Sequence, residues 1–197
     1  MTFHPVHAAA ASLACIYLTA VFCQWQMVKY ALKPTVTLLI AYPTYNTWHI
    51  FLGLLFSALG DAFLMLPSEQ MFVPGLLSFL IAHIFYIASF DTPTRVSWPA
   101  VPLVLFAAAM LHGLWPGVAN EDTVVQIGVV VYVFAIVWMT YKASLTGNMV
   151  LATGTVLFCV SDSVLAWSKF IQSYEWSEFV VMLTYYAAQL CIAAVHC

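Results

Sequence analysis

Charge is what this sequence has least of. Five Lys or Arg and eight Asp or Glu make up 7% of 197 residues, against about 25% in soluble domains. An ordinary soluble fold is excluded. A net charge of −3 with the basic residues scattered leaves no patch for a nucleic-acid partner. The five cysteines show no CxxC or other metal-type spacing, so neither a zinc site nor a disulfide framework is indicated. Cys15, Cys23, Cys159 and Cys191 lie within apolar stretches, where small core residues are expected, and Cys197 ends the chain. There is no Gly-rich phosphate cradle, GxSxG elbow or HExxH pair, and His4, His7, His49, His112 and His196 fall toward segment ends in no ligand spacing. No metal or cofactor is expected.

What is abundant is apolar sequence: 64% of residues are hydrophobic and mean hydropathy is +0.96. Runs of about 20 residues, enough to cross a bilayer as helix, fall near 5–26, 47–66, 71–90, 98–116, 123–142, 148–168 and 176–195. The first has no preceding Lys or Arg and exceeds a signal-peptide core, so it is expected to remain as a helix. The stretch 34–43 is half a span and becomes a full helix if Lys29 and Lys33 snorkel. The fold class expected is all-α, a polytopic transmembrane bundle of about eight helices with short loops, forming one domain over 1–197.

The nine prolines mark predicted ends: Pro5, Pro34, Pro74, Pro99 and Pro102 suit first turns, and Pro43, Pro67, Pro93 and Pro116 suit exits. Trp25, Trp48, Trp98, Trp115, Trp167 and Trp176 sit at segment boundaries, as an aromatic belt requires. Glu69, Asp91, Glu121, Asp122, Glu175 and Glu178 read as solvated. Arg95 and Lys142 on one face against Lys29, Lys33 and Lys169 on the other leave membrane sidedness open.

Two acids break the apolar pattern. Asp61 in GDAFLML and Asp162 in SDSVLAW lie deep within spans, where a carboxylate costs roughly 2.5–3.5 kcal/mol. An even number of crossings separates their helices, which therefore run in the same direction and place both acids roughly 8–9 Å below one membrane face. The shared pattern of small residue, Asp, two residues, Leu (Gly60 and Leu64; Ser161 and Leu165) hints at a duplicated four-helix unit. If both carboxyls face one cavity, repulsion in low dielectric keeps them from ionising together, giving an acid and a base suited to hydrolysis. The plainer alternative is two independent helix-packing acids. His83 and Tyr86 share a helix face, Tyr185, Tyr186 and Gln189 form a stripe, and Tyr132 is mid-span; Lys33 sits at the face nearest the acids.

The ordered set LKPTVTLLI, GDAFLML, FVPGLLSFLIAHIFY, VVYVF, SDSVLAW and TYYAAQL, covering Lys33 to Gln189, resembles the YhhN-like lysoplasmalogenase family of multi-pass membrane proteins. That resemblance implies hydrolysis of the vinyl ether bond of lysoplasmalogens, without an organic cofactor, to a fatty aldehyde and glycerophosphoethanolamine or glycerophosphocholine. It implies Asp61 and Asp162 as proton donor and water-activating base in either order. It also makes Lys33, His83, Tyr86, Tyr132, Tyr185 and Gln189 candidates for binding the substrate. The expected partners are a lysophospholipid and membrane lipids, in the inner membrane of a bacterium or the endoplasmic reticulum of a eukaryote; oligomeric state is not indicated. Two other readings stand beside it: a proton-coupled transporter using the acids as a relay, and a metal-dependent lipid hydrolase with Asp61, Asp162 and His83 as ligands.

Overall fold

The computed structural model describes residues 4–66, 68–92 and 100–196. The expectations for Pro67, Pro93, Arg95, Trp98, Pro99 and Cys197, and for the side chain of Glu69, lie outside the described residues. Eight α-helices follow in chain order: α1 (Pro5–Phe22), α2 (Gln26–Ala41), α3 (Trp48–Met65), α4 (Phe72–Ser89), α5 (Ala100–Val118), α6 (Thr123–Leu145), α7 (Met149–Phe170) and α8 (Ser177–Val195). Single 3-10 turns, Tyr42–Thr44 and Glu69–Met71, follow α2 and precede α4. All but α2 are long and apolar enough to cross a membrane. The chain is a multi-pass integral membrane protein.

Because lipid offers no hydrogen bonds to an open backbone, helices are the form such a sequence takes. Helix association in lipid depends on close packing, and small residues supply it here. A Cβ placed on Gly53 would lie 2.3 Å from the Tyr86 ring, and one on Gly60 would lie 2.6 Å from the Phe79 ring. These two glycines let α3 and α4 approach. Gly154 does the same for α7 against α8, where a Cβ would meet that of Cys191 at 2.7 Å. The residue before each deep acid faces the following helix: Gly60 meets Phe79 on α4, and Ser161 Oγ donates to the Val181 carbonyl on α8 at 3.0 Å.

Some expectations are corrected. Pro34 does not open α2 but lies inside it, because the polar half QMVKYALK, which reads as loop by hydropathy, continues the helix back to Gln26. Such an interior proline is tolerated in membrane helices. Pro116 falls in the last turn of α5. Glu178 is part-exposed, as a solvated acid would be, but is also paired, accepting from Lys29 Nζ at 2.8 Å and from Tyr17 Oη at 3.1 Å; it ties α1 and α2 to the start of α8. Cys15 and Cys23 are exposed: they lie on the outward side of the α1 region, where apolar surface faces lipid rather than protein. Trp25, Trp48, Trp115, Trp167 and Trp176 are all exposed at helix ends, as expected of interfacial anchors.

Gly53→Ala is expected to lower stability by about 1–3 kcal/mol through overpacking against Tyr86, read as an earlier thermal unfolding transition in detergent. Gly128→Ala, whose new Cβ would meet only the flexible end of Leu76 at 3.3 Å, should leave the transition in place.

Candidate active site

Asp61 lies one turn from the end of α3 and is 2% exposed. A carboxylate so placed needs hydrogen-bond donors to replace water, and two arrive from other helices. Thr37 Oγ1 of α2 donates to Asp61 Oδ2 at 2.8 Å, and Tyr185 Oη of α8 donates to the same oxygen at 2.9 Å. Asp162 lies two turns from the end of α7. Tyr132 Oη of α6 donates to its Oδ2 at 2.5 Å. The Nε2 of His83 is 3.9 Å from that oxygen, beyond hydrogen-bond reach. The imidazole is fully buried, packed edgewise against Tyr132 and Phe158, and neither ring nitrogen has a hydrogen-bond partner among the described residues.

Both acids border one chamber of about 500 Å³. Its wall includes Lys33 of α2, Ser161 and Lys169 of α7, Tyr185 of α8 and Ser68 of the α3–α4 connection. An apolar crevice of about 50 Å³ meets it, lined by Leu76 of α4, Phe106 and Met110 of α5, Val133 and Ile136 of α6 and Ala166 of α7. Asp162, Leu64, Phe72, Phe79 and Leu165 border both spaces, whereas Asp61 borders the polar chamber alone. Helix α5, which supplies one side of the crevice, packs on α6 and α7.

The predicted residues divide by position. Tyr132 and Tyr185 each hold one acid, Lys33 lines the chamber, and His83 stands beside Asp162 without facing either space. Tyr86 and Gln189 border neither space: Tyr86 Oη donates to Gln189 Oε1 at 2.8 Å and is 3.3 Å from Ser57 Oγ, a buried polar link between α3, α4 and α8. Tyr186 Oη donates to the Lys33 carbonyl at 3.3 Å. Thr37, Ser161, Ser168 and Lys169 are parts of the site that sequence reasoning missed. Thr37 was detectable, four residues after Lys33 and so on the same helix face. Among the described residues, no three His, Cys, Asp or Glu side chains group as a metal site.

The arrangement offers two carboxyl groups at one polar chamber, a small apolar crevice beside one of them, and two ammonium groups in the chamber wall. Chemically that permits proton donation on the crevice side and proton removal from water on the polar side. Comparison with known proteins gives the same context. The chain is 33% identical to "Lysoplasmalogenase TMEM86A" of Bos taurus, across 91% of this chain and 76% of that protein. It is 31% identical to "Lysoplasmalogenase TMEM86A" of Homo sapiens, across 88% and 73%. It is also 31% identical to a "Lysoplasmalogenase" of Mycobacterium bovis, across 72% and 58%. No solved structure matches it. The model of the YhhN family matches residues 8–196, and with seven spanning helices around a buried pair of acids, the chain belongs to the YhhN family.

Proposed function

We propose that this protein is a membrane-embedded hydrolase of lysoplasmalogen, cleaving its vinyl ether bond by acid and base catalysis from Asp162 and Asp61. One observation carries the reading: two carboxyls from distant parts of the chain border a single chamber, and only one of them also borders the apolar crevice. The names of the relatives at 31–33% identity support the substrate class.

A vinyl ether is protonated at the alkenyl carbon remote from oxygen, the carbon continuous with the hydrocarbon chain. With the chain entering by the crevice, that carbon passes Asp162. Asp162 gives its proton to the carbon, and the double-bond electrons collapse into an oxocarbenium ion at the carbon attached to oxygen. Water from the polar chamber adds to that carbon while Asp61 removes its proton. The hemiacetal then returns a proton to the ether oxygen, its carbon–oxygen bond breaks, and a fatty aldehyde and the glycerophospho-alcohol leave. One water is consumed and both carboxyls regain their starting protonation once a proton passes back between them. The crevice, about 50 Å³, is too small for a whole chain, so the remainder of the tail lies in lipid beside α5. Tyr132, and Thr37 with Tyr185, hold the two carboxyls in position; a shift of about 1 Å in such a group costs roughly a hundredfold in rate.

Purified wild type is expected to release aldehyde from a lysoplasmalogen in detergent or liposomes. Asp162→Asn and Asp61→Asn, each shown folded by its thermal transition, should each lose about a hundredfold to ten-thousandfold in kcat, the usual contribution of a positioned acid or base. Wild-type rates in either variant would refute the mechanism.

Filling the crevice one turn beyond Asp162 tests the chain's route. Ala166→Phe should lower kcat/KM for the vinyl ether substrate roughly tenfold or more. An unchanged value would move the chain elsewhere.

A further inference from the structure

The two ammonium groups of the chamber have no part in the proton transfers above. Lys33 forms no ion pair among the described residues. Its backbone is fixed by the Tyr186 hydroxyl, which donates to its carbonyl at 3.3 Å. Lys169 stands in the last turn of α7, its Nζ 5.1 Å from the centre of the Phe72 ring. Phe72 borders the chamber too, so that contact keeps the lysine stem along the wall. Ser168, also in the wall, has a buried hydroxyl with no hydrogen-bond partner among the described residues.

Spacing along α7 gives a ruler. Asp162 and Lys169 are separated by two helical turns and lie on one stripe, their backbone positions roughly 10 Å apart along the axis. Side chains in a helix lean toward its N-terminus, which brings the ammonium back toward the acid. In a lysoplasmalogen seven bonds join the vinyl carbon that Asp162 protonates to phosphorus, roughly 9 Å when extended. A vinyl ether at Asp162 therefore sets its phosphate at the level of Lys169.

We propose that Lys33 and Lys169, with the Ser168 hydroxyl as an added donor, form the binding site for the phosphodiester of a lysophospholipid headgroup. The ligand's identity rests on the hydrolase reading; the anion-binding chemistry does not. Lysine binds phosphate as a compact point charge, and two of them in one wall, against a pair of acids that share one proton, leave a net positive charge to draw an anion. The site thus selects a phosphodiester and registers the vinyl ether against Asp162.

The test uses the whole purified protein and ligands that cannot be cleaved. Binding of a 1-O-alkyl lysophosphocholine, the matching 1-O-alkylglycerol and inorganic phosphate is measured by calorimetry for wild type, Lys169→Gln, Lys33→Gln and Lys169→Arg. Wild type should bind the lysophospholipid about tenfold more tightly than the alkylglycerol, the scale of one charge-assisted contact. Lys169→Gln and Lys33→Gln should each remove most of that margin without changing alkylglycerol affinity, and Lys169→Arg should keep it. The proposal is overturned if wild type shows no margin, if the Gln variants retain it, or if they weaken both lipids equally. Inorganic phosphate binding as tightly as the lipid would make this a free-anion site and overturn the lipid assignment. Aldehyde release is assayed in parallel with the vinyl ether lipid. An intact margin without hydrolysis sinks the hydrolase reading alone, and hydrolysis without a margin sinks the clamp alone.

Discussion

A carboxyl group inside a membrane bundle must find its hydrogen-bond donors in the protein, and that requirement organises this molecule. Neither deep acid is served by its own helix. Asp61 on α3 is reached by Thr37 from α2 and Tyr185 from α8, and Asp162 on α7 by Tyr132 from α6. Insertion of each acid costs roughly 2.5–3.5 kcal/mol, while a hydrogen bond to a charged group returns about 1.5–3 kcal/mol. One donor, as at Asp162, leaves part of that cost standing, and two, as at Asp61, meet it. The acids are therefore tolerable only in the assembled bundle, where they link helices remote in sequence.

Close packing and polar placement are connected at Gly60. Its missing side chain lets the Phe79 ring lie against α3 next to Asp61, and Phe79 borders both the polar chamber and the apolar crevice. The same contact that brings two helices together thus helps partition the polar chamber from the apolar crevice. Asp162 and Leu165, one turn apart on α7, form part of the opposing boundary. For an amphiphilic substrate with its reactive bond at the junction of tail and headgroup, that boundary is where a reacting carbon would lie.

Much of this was legible in the chain because bilayer physics leaves strong marks. Span length, terminal tryptophans and two isolated acids in matching small-Asp-x-x-Leu patterns pointed to the bundle and to Asp61 and Asp162. The polar half of α2 was harder to see, since Gln26, Lys29 and Lys33 give no hydropathy signal and Pro34 imitates a helix start. Tyr132 and Tyr185 were found by depth within their spans, but nothing in one dimension separated them from Tyr86, whose hydroxyl faces Gln189 and the core instead. Thr37 and Lys169 escaped notice for another reason: a threonine in a membrane helix usually bonds its own backbone, as Thr35 does with the Ala31 carbonyl, and a lysine near a helix end usually serves the interface.

By itself the sequence determined that the chain is a membrane bundle of about eight helices, and that two acids lie within spans running in the same direction. Each follows from length, hydropathy and helical repeat, properties that act along the chain. Only the tertiary structure decided that the acids border one chamber, that of the two only Asp162 borders the crevice, and that Glu178 pairs with Lys29 and Tyr17. Those depend on which face each helix turns toward its neighbours, and in lipid that is settled by glycine contacts and hydroxyl donors from helices far apart in the chain, since hydropathy is nearly uniform around each helix.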